Sequence, residues 1–227
     1  MKFDGIRVPA NAMQMQTIAD ELTCMLMTPK VVDLIWLQAG IRFDPVYRIG
    51  GKIVANCSVG DVHREIESKI ASAGGDDGKS LIDSVGKYWV LTNKLDNPSI
   101  LMYKSRNACN YGWCSSDGIY QGVTKGVKVW QSPGYRHNDL HADPSQTIRL
   151  MYRFARLFRK GGPEEHVDLH DVLRSKELAP LVSHEGTITY LRQKSVPEPI
   201  PLRMDDGTIV LPETDIYAMP DWNGGKL

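Results

Sequence analysis

What the chain lacks narrows its function before any motif is read. It carries no net charge, with 27 Lys+Arg against 27 Asp+Glu. A neutral chain has no long-range field to gather phosphates or anionic headgroups, so neither nucleic acid nor a membrane surface is expected as a partner. No apolar run approaches the roughly 18 residues of a membrane span. The opening "MKFDGIRVPANAM" has Asp4 where a secretory leader needs its apolar stretch. A protein that is cytoplasmic as synthesised is expected. The four cysteines, Cys24, Cys57, Cys109 and Cys114, are too few and too scattered for a disulfide framework. Cys109 and Cys114 read as free thiols near a strand end, with a bridge across a turn left open for an oxidising setting. Also missing are a Gly-Lys-Ser/Thr phosphate loop, a Gly-x-Ser-x-Gly elbow, a dinucleotide fingerprint and a helical His-Glu-x-x-His. No cofactor and no metal are therefore expected.

What is present suffices for one sizeable core, since 42% of the 227 residues are hydrophobic. "QMQTIADELTCMLM" repeats apolar residues at helical spacing through Met15, Ile18, Ala19, Leu22, Met25 and Leu26, which predicts a first helix. "TPKVVDLIWLQAG" predicts a second helix, capped by Thr28, begun by Pro29 and closed by Gly40, with Trp36 in the core. "DVHREIESKIASAGG" predicts a third, with His63 as a solvated surface histidine. From residue 88 the texture changes to short aromatic and β-branched runs, "YWVLT", "SILMYK" and "GVKVW", divided by turn residues. "DPSQTIRLMYRFARLFRKGG" then carries an Asp143 cap, Pro144 at the first helical position and Ile148, Met151, Ala155 and Phe158 on one face, which predicts a long helix near 144–160. The expected class is α+β: N-terminal helices on a small, mostly antiparallel sheet, in one domain over 1–194.

The tail, 195–227, is proline-rich (Pro197, Pro199, Pro201, Pro212 and Pro220) and holds one hairpin signal at Asp205-Asp206-Gly207. Such a segment cannot build its own core, so it either wraps the main domain or docks on other protein chains; the second is expected, with Tyr217 and Trp222 as the interface anchors.

Two stretches carry chemistry. "HNDLHADPS" puts His137, Asp139, His141 and Asp143 in a loop, groups suited to metal binding or to proton transfer, while a plain polar turn explains them as well. "EEHVDLH" places His166 and His170 on one face if helical, as solvated surface residues. Cys114, after "NYGW", is a nucleophile only if an imidazole or a cation activates it.

Residues 81–190, with "GKYWVLTNKL", "NYGWCSSDG", "HNDLHADPSQTIRLMYR" and "LAPLVSHEG" in order, resemble a group of poorly characterised bacterial and phage-encoded proteins. Members of that group carry a strand histidine, Tyr-Gly-Trp-His, and Asp-Tyr-Ser-His-Gly-Ile-Arg-Leu. The last string is reminiscent of cell-wall peptide-processing enzymes. The resemblance implies a peptide or glycan hydrolase acting on cell-wall fragments, with His137, Asp143, Ser145 and Arg149 as catalytic candidates. The chain departs from the pattern at Lys87 and Cys114, where the group has histidines, and at Gln146-Thr147, where it has His-Gly. Those losses favour a hydrolase-like fold used as a non-catalytic structural component, such as a piece of a phage particle, with the hydrolase as the alternative.

Overall fold

A computed structural model describes residues 1–75, 80–97 and 106–197, and beyond these only the backbone of 202–203 and 209–210. The chain divides into two compact units, Met1–Val196 and Pro197–Leu227.

The first unit runs α1 (Ala12–Glu21), β1 (Cys24–Met25), α2 (Pro29–Gln38), β2 (Ile41–Arg42), β3 (Arg48–Ile49), β4 (Lys52–Ile53), α3 (Val59–Ser72), β5 (Ile82–Asp83), β6 (Lys87–Val90), β7 (Asn107–Cys114), β8 (Tyr120–Gln121), β9 (Lys128–Asn138), β10 (Met151–Tyr152), β11 (Phe154–Phe158), β12 (Glu164–Asp168), α4 (Leu169–Arg174) and α5 (Ala179–Val182). In the second unit, Leu202–Arg203 pairs antiparallel with Ile209–Val210, flanking the expected hairpin turn. The class is α+β. None of the described helices is long and apolar enough to cross a membrane.

Each early helix starts where its cap residue dictates. Asn11 accepts from the Gln14 N–H while the Gln14 side chain accepts from Asn11, a reciprocal capping box that opens α1. Thr28 accepts from the Val31 N–H and Pro29 follows it into α2. Ser58 caps α3, which ends as the Gly75 N–H returns to Ile70 O at 2.9 Å, with Gly74 at φ 71°.

The main sheet is antiparallel, in the order β6-β7-β9-β8. Both faces of β6 are buried. Tyr88 and Val90 join a cluster with Val32, Trp36, Val62, Ile66 and Tyr111. Trp89 joins another with Met15, Leu26, Ile148 and Leu173. That explains why "YWVL" is continuously apolar instead of alternating. The expected strand "SILMYK" lies outside the described residues.

The segment 144–160 is not a helix, which corrects the sequence expectation. Its local start is well formed: Ser145 N donates to Asp143 Oδ1 at 2.7 Å, and Asp143 N donates to Gln146 Oε1 at 2.9 Å. Continuing as a helix requires the later backbone groups, and β6 has taken them. Lys87 N donates to Ser145 O (2.8 Å) and Thr147 N donates to Lys87 O (2.9 Å), so the chain is drawn out along the edge of β6. Arg153 N then donates to Thr23 O, and β11 pairs with β12 from Phe154↔Asp168 to Phe158↔Glu164. The proposed helical face splits accordingly, with Ile148 at 1% exposure and Phe158 at 68%.

The close seam between β6 and 145–147 depends on Gly86. A Cβ there would stand 2.2 Å from Thr147 Oγ1 and 2.7 Å from Ser145 O. Gly86→Ala is expected to destabilise the protein by about 1–3 kcal/mol, the range for overpacking a filled interior. Chemical denaturation checks this, and a midpoint equal to the wild type's would contradict the seam.

Candidate functional site

The candidate cluster assembles where β6, the end of β9 and the loop before β10 meet. β9 delivers His137, whose register partner on β7 is Ala108. The small alanine leaves the His137 ring in a T-shaped contact with Trp89, with centroids 6.1 Å apart. Asn138 Oδ1 accepts from the Leu140 N–H and turns the chain, bringing His141 back over His137. The two imidazoles stack with centroids 4.1 Å apart and planes 13° from parallel.

His141 Nε2 lies 3.3 Å from Asp143 Oδ2, and Lys87 Nζ lies 3.6 Å from the same oxygen. Asp143 Oδ1 accepts from both the N–H and the hydroxyl of Ser145. Lys87 is nearly buried, and its ammonium sits 5.1 Å from the centroid of the Trp113 ring.

The charges follow from this packing. Burial lowers the Lys87 pKa and Asp143 opposes the shift. Burial would raise Asp143, but the Ser145 hydrogen bonds and the Lys87 charge outweigh it and hold the carboxyl below its usual range. The His137 pKa is lowered by burial first, then by His141 and Lys87, so the ring stays neutral.

Of the four catalytic candidates, His137, Asp143 and Ser145 fall in this cluster and Arg149 does not. Arg149 Nη1 pairs with Asp83 Oδ1 at 2.9 Å and its guanidinium lies over the Tyr88 ring, whose hydroxyl donates to the same Asp83 oxygen. Ser145 is buried with its hydroxyl committed to Asp143, so it is not presented to a substrate. Asp139 is fully buried and bonded by Arg106 Nε at 3.1 Å, away from the imidazoles in function. The loop composition points to His141, but the catalytic set implied by the resemblance contains neither it nor Trp113. The first shares the "HNDLH" string, and the second stands beside the Cys114 departure.

Cys109 and Cys114 are free, buried thiols whose pKa values burial pushes up, the opposite of an activated nucleophile. His166 is solvated on β12 as expected, while His170 falls in α4, so the two share no helix face. His63 departs from expectation: it is half-buried on α3 and accepts from the Arg7 N–H. Tyr217 and Trp222 lie outside the described residues.

Among the described residues, no group of three or more His, Cys, Asp and Glu is placed to hold a metal ion. At Asp143 the position of a cation is filled by the chain's own ammonium. A cleft of about 350 Å³ lies elsewhere, between the N-terminal arm and Arg149. No family model, curated protein or solved structure matches the chain.

Two measurements test this geometry. Asp143→Ala strands the nearly buried Lys87 charge as well as removing the turn. It is expected to cost about 3 kcal/mol, the low end for breaking a buried pair because the contact is 3.6 Å long. Loss of a cap alone would cost only ~1 kcal/mol, so a loss that small in a denaturation series would rule out the pairing. The second concerns pH. A histidine with a folded pKa below its unfolded value leaves stability intact above the unfolded value, about 6.5. Stability falls as pH drops below it, because the unfolded chain then binds the proton more readily. His137→Gln is expected to flatten the loss of stability between about pH 7 and 5, and an unchanged slope would show that His137 is not desolvated.

Proposed function

We propose that this chain is a non-catalytic structural component that works through protein–protein contacts in an assembly such as a phage particle. The observation that carries this is the state of Asp143. Its two carboxylate oxygens are taken by Ser145, Lys87 and His141, and the neighbouring imidazoles are stacked on each other. A general base needs a free lone pair aimed at a substrate proton, and this carboxylate is spent on holding the loop. Lys87 and Cys114, at two positions where the resembled group has histidines, supply a paired ammonium and a buried thiol instead.

The contacts proposed for assembly are the tail beyond Val196, with Tyr217 and Trp222 as anchors, since large aromatics tend to carry interface energy. Met1–Val196 is a compact unit by itself. Ending the chain at Val196 is therefore expected to give a folded, monomeric protein, whereas the full chain forms larger species in light scattering. Tyr217→Ala and Trp222→Ala in the full chain are expected to shift it toward monomer. An unchanged mass distribution in all three, or an unfolded truncation, overturns the tail as the contact.

One observation favours the second reading, a cell-wall peptide or glycan hydrolase. His137 is a half-exposed, neutral imidazole, the state a general base requires. Release of soluble fragments from peptidoglycan by the full chain, abolished in His137→Ala, would replace the structural reading with this one.

A further inference from the structure

Away from the His137 cluster, the end of the main sheet presents an aromatic pair at the surface. Tyr47, just before β3, stacks on Trp130 of β9, with ring centroids 5.5 Å apart and planes at 21°. Tyr47 is 47% exposed, so the ring face turned from Trp130 is open to solvent. The hairpin of β3 and β4 holds it in place, because Val54 N donates to Tyr47 O at 3.0 Å.

Beside the pair stand two exposed carboxylates, Asp44 and Asp117, that share one hydroxyl as a donor. Ser115 Oγ lies 2.7 Å from Asp44 Oδ1 and also within bonding distance of Asp117 Oδ1. One hydroxyl has one proton, so it satisfies only one of these carboxylates at a time. Trp130 Nε1 donates to Asp117 at 3.3 Å and ties the acid to the ring. Among the described residues, neither Asp44 nor Asp117 has a cation within ion-pair distance. Asp117 stays ionised, its pKa lowered chiefly by the Ser115 hydrogen bond.

We propose that Tyr47, Trp130, Asp117 and Asp44 form a binding platform for a pyranose glycan. The negative face of an aromatic ring attracts the polarised C–H groups on one face of a sugar. The equatorial hydroxyls at the sugar's rim are donors, and ionised carboxylates are acceptors only, so the hydroxyls can take the place of water at Asp44 and Asp117. Other occupants fit less well. An apolar peptide would desolvate two carboxylates without bonding them. A cationic peptide would meet Arg48, Lys52 and Lys128, all exposed on the flanking strands. The proposal stands whether or not the chain assembles through its tail, and it uses none of the residues of the His137 cluster.

Calorimetric titration of the full chain with chitohexaose and with cellohexaose tests it, alongside retention on insoluble peptidoglycan sacculi. Saturable binding of at least one oligosaccharide is expected. Tyr47→Ala and Asp117→Asn should each weaken it about tenfold or more with an unchanged melting temperature, and His137→Ala should leave it unaltered. Retention on sacculi that Tyr47→Ala abolishes, without oligosaccharide binding, supports a site that reads the polymer. Absence of saturable binding in every arm, or wild-type binding by Tyr47→Ala, overturns the platform. Because Tyr47 is exposed, its loss is not expected to unfold the protein, and a melting curve for that variant checks this. Ending the chain at Val196 should leave glycan binding intact, which separates failure of the platform from failure of the assembly reading.

Discussion

A charged residue stands in a strand whose every residue is buried. Lys87 opens β6, between apolar clusters on both faces, and its ammonium reaches the Asp143 carboxylate and the Trp113 ring. Burying a lone cation is expensive, so the strand can exist in this place only if a counter-charge is delivered to it. Its delivery fixes the path of the 134–147 segment. β9 must end at Asn138, the turn must bring His141 over His137, and Asp143 must arrive at the edge of β6, where the backbone of Lys87 takes up Ser145 and Thr147.

Seen from this pairing, the histidines have a different meaning from the one their spacing suggests. "HNDLH" resembles a donor set, yet each member has a structural engagement. His137 packs on Trp89, His141 packs on His137 and contacts Asp143, and Asp139 is buried against Arg106. Ser145 and Arg149, which matched the resembled group by position, are likewise bound to carboxylates of the chain, Asp143 and Asp83.

The first three helices were legible because their signals are local, although the first, which the apolar spacing carries on to Leu26, stops at Glu21, where Thr23 O accepts from Arg153 N and Cys24–Met25 pairs with β10. Asn11, Thr28 and Ser58 cap them within three residues, and the apolar spacing repeats over several turns. The strand at 88–90 and the first residues of β9, 128–130, were legible from their aromatic and β-branched content, whereas the continuation of β9 to Asn138 runs through residues that read as a loop. The stretch 144–160 was not, although its cap is as good as any in the chain. Whether a capped turn goes on as a helix depends on what competes for its next backbone groups, and here the competitor is Lys87, nearly sixty positions upstream. The candidate site was half legible for the same reason. Residue types near His137 could be read, but that Arg149 turns to Asp83 and Lys87 to Asp143 is decided by packing between distant segments.

The double use of β6 has one more consequence, for solubility. One side of this strand pairs with β7; the other is taken by Met27, whose carbonyl accepts from Leu91 N, and by the 145–147 segment. At the far end of the sheet, β8 pairs with only Lys128 and Val129 of β9. A sheet this apolar with a long row of unsatisfied amides would recruit strands from other molecules and grow without limit. On the β6 side, two short, unrelated pieces of chain serve as selvedges that keep the sheet from fraying into its neighbours, so whatever meets that edge must recognise side chains.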